Sequence, residues 1–134
     1  MNIDRKAIYN GTLVFIGLYT LHILMVPLLT KVFQEGWKST AVFGISQILG
    51  LATCLLAGYV AARTAGERGF FYGFNVGAFG TLLTALGAVV FSFLFGLKFP
   101  FLQSLPFWIF ANGFLAAVAG IMTTNFADTQ TKAP

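Results

Sequence analysis

Charge is what this sequence has least of. Its 134 residues include 8 Lys and Arg and 4 Asp and Glu, or 9% of the chain, where soluble domains carry about a quarter. None of these charges falls within the runs 7–30, 39–62, 69–97 or 99–127. With 57% of residues apolar, the composition excludes a water-solvated globule and is that of a membrane protein. A single cysteine, Cys54, can neither close an intrachain disulfide nor form a thiolate metal site, and in mid-run it reads as a small packing residue. A single histidine, His22, excludes a zinc site or bis-histidine ligation within one chain. The absence of any carboxylate inside the runs removes the usual device of ion-coupled transporters and the group that would orient a catalytic imidazole. No catalytic residue is assigned, and the chain reads as a non-enzyme.

What is present is length. Each uncharged run exceeds the roughly 20 residues needed to cross about 30 Å of hydrocarbon. The expected fold is therefore all-α, with four transmembrane helices over 7–30, 39–62, 69–97 and 104–127 in a single domain, 1–134. Arg5 and Lys6 precede the first run as they would in a secretory leader. That run is too long and lacks a small-x-small cleavage site, so it reads as a retained helix. Short connections make sequential helices antiparallel neighbours in an up-down bundle. Pro27 is expected to bend the first helix a turn from its end, and Pro100 and Pro106 flank the start of the fourth.

An even number of spans puts both termini on one side. That side carries Arg5, Lys6, Arg63, Arg68 and Lys132, with Glu67 able to pair with either neighbouring arginine, and the other side carries Lys31, Lys38 and Lys98. The bias towards the first set places both termini in the cytoplasm. Tyr9, Tyr59 and Tyr72 then mark the inner boundary, and Trp37 and Trp108 the outer one. Isolated Lys and Arg at helix ends cannot form a nucleic-acid groove, so the expected partners are the lipid bilayer and other membrane subunits or further copies of the chain.

Glycine is plentiful, with 15 in the chain. In lipid, close backbone approach through small residues supplies much of the helix packing. The third helix has Gly69, Gly73, Gly77, Gly80, Thr84 and Gly87 three or four apart on one face. The second offers Ser46, Gly50, Cys54, Ala57 and Ala61, with Gly58 nearby, and the fourth Gly113, Ala117, Gly120 and Thr124. The stretch 58–80, GYVAARTAGERGFFYGFNVGAFG, is expected to be a tight hairpin of helices two and three. A phosphate cradle is the competing reading of those glycines, but no strand precedes them and no lysine is placed as in a phosphate loop. The G-Y-V-A-A-R segment, a short charged turn and the G-x-x-x-G-x-x-x-G that follows resemble a class of small prokaryotic four-helix integral membrane proteins of unknown function, over about residues 50–90. The resemblance implies the fold and a prokaryotic inner (plasma) membrane, and it carries no active site.

Polar residues inside the spans are where function is sought. His22 lies eight residues before Thr30, Gln47 eight after Ser39 and Asn112 eight after Ser104, about 12 Å below one boundary at 1.5 Å per residue. They are expected to form one polar cluster of interhelical hydrogen bonds, and no cofactor is predicted. The sharper alternative makes His22 a cofactor ligand, for a pigment, a haem or a quinone. Phenylalanines concentrate in the outer halves of helices three and four, as Phe91, Phe93, Phe95, Phe99, Phe101, Phe107, Phe110 and Phe114. Bulk outside and small residues inside suggest a bundle tight at the inner leaflet and splayed at the outer one. The expected function is that of a non-enzymatic accessory or assembly subunit of a larger membrane complex, packing on it through small-residue and Phe-rich helix faces. The alternative is a small homo-oligomeric transporter or channel with a neutral polar constriction.

Overall fold

Four helices account for nearly all of the computed structural model, which describes residues 3–33, 40–96 and 103–131, the stretch 126–131 as backbone alone. They are α1 (Arg5–Val32), α2 (Thr40–Ala65), α3 (Gly69–Phe95) and α4 (Leu105–Thr131). Each is long and apolar enough to cross a membrane, at about 40 Å for 26 to 28 residues rising 1.5 Å apiece. Trp37, Lys38, Lys98, Phe99, Pro100, Phe101 and Lys132 lie outside the described residues.

The helices overrun most of the expected spans because a helix ends where its backbone is capped, not where its apolar run stops. α1 begins at Arg5 because the Asp4 carboxylate accepts from the backbone N–H groups of Lys6 at 2.9 Å and Ala7 at 3.2 Å. It continues through Pro27 to Val32. Between α2 and α3 the chain turns in three residues, with Gly66 at φ 73° and Arg68 at φ 51°. Gly66 takes the left-handed conformation at no steric cost, whereas Arg68 is the one non-glycine among the described residues with positive φ. α3 closes on Gly96, left-handed at φ 66°, whose N–H donates to the Ser92 carbonyl. Pro106 is the second residue of α4, where a missing N–H costs nothing. The threonine hydroxyls of Thr53, Thr81, Thr84 and Thr123 donate to carbonyls four residues back at 2.7–2.9 Å, so these polar groups are satisfied within their own helices, as a membrane interior requires.

The glycine face of α3 does not receive α2 as expected. A side chain at Gly69 would meet the Gly120 carbonyl, one at Gly73 the backbone of Ala116 and Ala117, and one at Gly77 the backbone of Asn112 and Gly113. The partner is α4, and the contact is reciprocal, because a side chain at Gly120 would strike the Gly69 carbonyl. Gly58 of α2 also faces α4, against Ala116. The physical reason is complementarity. Gly113, Ala116, Ala117 and Gly120 give α4 a matching row without bulk, so two backbones approach until carbonyl and Cα touch. Gly80 closes against the ring of Phe15 from α1, and Gly113 against Phe74. Gly87, at the far end of the expected stripe, faces open space.

Burial is lopsided along the bundle. Ala7, Gly11, Phe15, Thr53, Cys54, Ala57, Ala61, Tyr72, Val76, Ala116 and Ala117 are buried in the half containing the Gly66–Arg68 turn, whereas in the other half, beyond Ala85, only Val26 and Val42 are buried among the described residues. Small residues draw the helices together at one end. At the other end they stand apart.

Candidate functional site: a cavity in the open half

Where the helices separate, side chains from all four enclose a cavity of about 420 Å³. α1 contributes Phe15, Tyr19 and His22, spaced four and three residues apart and hence on one face. Their rings form a column, with Phe15 and Tyr19 stacked at 6.1 Å and Tyr19 edge-on to His22 at 6.1 Å. α2 adds Ser46, Gln47, Gly50, Thr53 and Cys54; α3 adds Thr81, Thr84 and Ala85; α4 adds Leu105, Trp108 and Asn112. Phe15, only 1% exposed, and the Thr81 and Asn112 pair close the end towards the tight half. Gln47 and Trp108 are exposed, so the cavity reaches the surface.

The depth match of His22, Gln47 and Asn112 brings all three to this cavity, but not to one another. His22 pairs through Nε2 with Ser46 Oγ at 2.8 Å, one helical position before Gln47. Gln47 itself lies exposed at the rim. Asn112 belongs to a separate network, donating from Nδ2 to Thr81 Oγ1 at 2.9 Å and accepting at Oδ1 from the Cys54 thiol at 3.4 Å. Thr81 in turn donates to the Gly77 carbonyl at 2.7 Å. One relay therefore ties α2, α3 and α4, and a second bond ties α1 to α2. The expected single cluster is two, because a common depth fixes height along the bundle and not direction around each helix.

The His22 pairing leaves Nδ1 buried with no hydrogen-bond partner. If Nε2–H donates to Ser46, Nδ1 is a bare acceptor; if Ser46 donates, Nδ1–H is a bare donor. Gly50 stands beside it, and a Cβ there would lie 3.6 Å from His22 Cε1 and 4.0 Å from Nδ1, an ordinary contact. Gly50 is thus not a site of forced close approach like Gly77. It leaves room beside the imidazole.

The opposite end of the bundle holds most of the charges among the described residues, Lys31 in the last turn of α1 being the exception. Arg5, Lys6, Arg63, Glu67 and Arg68 are all exposed there. Glu67 pairs with Arg68, Oε1 to Nε at 3.7 Å, an exposed pair worth about 0 to 1 kcal/mol. Arg63 instead donates to the Tyr59 hydroxyl and lies over that ring, 5.8 Å from its centroid. Tyr72 is not a boundary anchor of the kind expected. It is 2% exposed, and its hydroxyl accepts from the Asp4 backbone N–H at 2.9 Å, joining the start of α1 to α3. Tyr9, 63% exposed, lies at the surface where it can meet a boundary, as does Tyr59, 39% exposed with its hydroxyl taken by Arg63. Sequence reasoning passed over Gly11, where a side chain would press on Ala61 and Val76. The spacing of Ala7, Gly11 and Phe15, four apart on one face, carries the signal.

Among the described residues no three His, Cys, Asp or Glu side chains come together as a metal site. No family model, no curated protein and no solved structure matches the chain.

Proposed function

We propose that this protein is a non-enzymatic, up-down four-helix component of a prokaryotic inner membrane, with both termini in the cytoplasm, acting as an accessory or assembly subunit of a larger membrane complex. The observation that carries this reading is an aromatic strip laid over the rigid α3–α4 seam. Phe70, Phe74, Phe110 and Phe114 follow one another across the two helices with ring centroids 5.4 to 6.3 Å apart. Three of the four are exposed, at 48, 59 and 54% for Phe70, Phe110 and Phe114. Beneath them α3 and α4 touch backbone to backbone, so the strip is held in place before any partner arrives. Preorganised aromatic side chains of this kind dominate protein contacts, because they bury large areas at small entropic cost. Gly69, Gly73, Gly77, Gly113 and Gly120 are filled within the chain by its own helices, while the strip is offered outward on the α3–α4 face.

A photo-crosslinking amino acid placed at Phe110 or Phe114 tests the reading in native membranes. A distinct polypeptide captured from those two positions, and not from exposed Leu24 on α1, is the expected result. Capture of lipid alone from all three positions removes the subunit reading.

The cavity favours a second reading, a homo-oligomeric transporter or channel with His22, Gln47 and Asn112 as a neutral constriction. In it, crosslinks from the same positions join copies of this chain and no other protein.

A further inference from the structure

The cavity in the open half has two properties that helix packing does not require. It has a buried imidazole nitrogen with nothing to bond, and it lies beside the one pair of helices that hardly meet. Every pair except α1 and α4 shares a packing face among the described residues. His22 and Tyr19 stand on one side of that gap, Leu105 and Trp108 on the other, and Trp108 is 44% exposed. α2 and α3 each pack on both α1 and α4, so α1 and α4 face each other across the cavity, which reaches the surface at the exposed Gln47 and Trp108.

We propose that the cavity binds an uncharged amphiphile drawn from the bilayer, its carbonyl or hydroxyl head bonded to His22 Nδ1 and its apolar tail leaving where the cavity reaches the surface beside Gln47 and Trp108. The charge of the head follows from the walls. No lysine or arginine lines the cavity to pair with an anionic head, and burying an unpaired phosphate or carboxylate there carries a prohibitive desolvation cost. The need for an oxygen follows from the imidazole, since an orphaned buried nitrogen costs free energy until it is bonded. Either tautomer serves, because a hydroxyl donates or accepts and a carbonyl accepts. Asn112 adds a donor on the opposite wall, since its Nδ2 uses one hydrogen on Thr81 and has a second. A volume of about 420 Å³ falls in the range of small-molecule sites, about 300–1,000 Å³, and holds a head group and the first part of a tail. Gly50 puts no side chain against the imidazole, where a Cβ would lie 3.6 Å from Cε1 and 4.0 Å from Nδ1.

The inference rests on the chain spanning a bilayer and not on the accessory role. It is tested with the full chain in zwitterionic nanodiscs, in a Trp37→Phe background that leaves Trp108 as the reporter in the cavity wall. The probes are decylubiquinone and monoolein, two neutral amphiphiles from different lipid classes, with oleate as the charged control. A saturable change in Trp108 emission with at least one neutral probe, and none with oleate, is expected. The probe that saturates identifies the class. Gly50→Leu should weaken that binding at least about tenfold, because it fills the room beside the imidazole, and Gly50→Ala should weaken it less while leaving the melting temperature unchanged. His22→Phe should weaken it about three- to tenfold, the worth of one hydrogen bond. Equal titrations in the wild type and both Gly50 variants, oleate binding as tightly as the neutral probes, or no saturable response to either neutral probe overturns the proposal. A chain that does not insert into nanodiscs overturns the spanning reading beneath it instead.

Discussion

At Gly77 a single methyl group decides whether two helices fit. A Cβ there would run into the Asn112 carbonyl, and backbone cannot swing aside as a side chain can. Gly77→Ala is therefore predicted to destabilise the protein by about 1–3 kcal/mol, the usual cost of overpacking, although alanine is the better helix former. Gly87→Ala, where nothing lies within 4 Å, should be neutral or stabilising by up to about 1 kcal/mol. Thermal unfolding of the two variants in one mild detergent makes the comparison, and equal tolerance at both positions contradicts the backbone contact. The Asn112 relay is measured by a double-mutant cycle. Asn112→Leu and Thr81→Val should be coupled by about 0.6 and at most about 2 kcal/mol, as membrane hydrogen bonds are. The same cycle between His22→Leu and Gln47→Leu should give no coupling, because His22 bonds to Ser46.

Among the elements, α1 is held differently from the rest. It meets α2 and α3 through Ala7, Gly11 and Phe15 and is pinned at its start by Asp4, which caps the helix and bonds to Tyr72. Asp4→Ala is predicted to cost about 0.5–2 kcal/mol, and faster hydrogen exchange should be confined to the first turn of α1. Exchange spread over α3 and α4 as well would show that α1 is not the separable element. The sequence made the existence of the four helices plain, since long uncharged runs have few alternatives in a membrane. It also marked the small-residue rows on α3 and α4. Which row met which helix was not legible, because glycines at Gly69, Gly73 and Gly77 accept any neighbour with an equally bare face, and both α2 and α4 have one. Asp4 and Tyr72 were missed for a related reason. The Asp4 carboxylate makes the cap, but the cross-helix bond to the Tyr72 hydroxyl is made by the Asp4 backbone N–H, and no side-chain pattern announces a bond of that kind. The depth rule brought His22, Gln47 and Asn112 to one cavity but could not give their azimuth.

For the whole molecule, tightness at one end and separation at the other is the organising asymmetry. The tight end holds the start of α1, the Gly66–Arg68 turn and the charges Arg5, Lys6, Arg63 and Arg68, and it is the end proposed to face the cytoplasm. Reporter fusions at the C-terminus and within the 31–38 connection should report opposite sides, with the C-terminus inside; an external C-terminus reverses the orientation. The open end carries the cavity, and the α3–α4 seam carries the aromatic strip along the outside. In the proposed reading the strip would seat a partner helix and the cavity a neutral amphiphile. The claim that it works as a subunit is tested most directly by extracting the chain from its native membranes in polymer-bounded lipid discs and measuring the mass and composition of the particle. The account predicts at least one different membrane polypeptide in fixed stoichiometry, lost when Phe110 and Phe114 are both changed to alanine while the helices stay intact. A particle containing this chain alone, as one copy or as several, contradicts it.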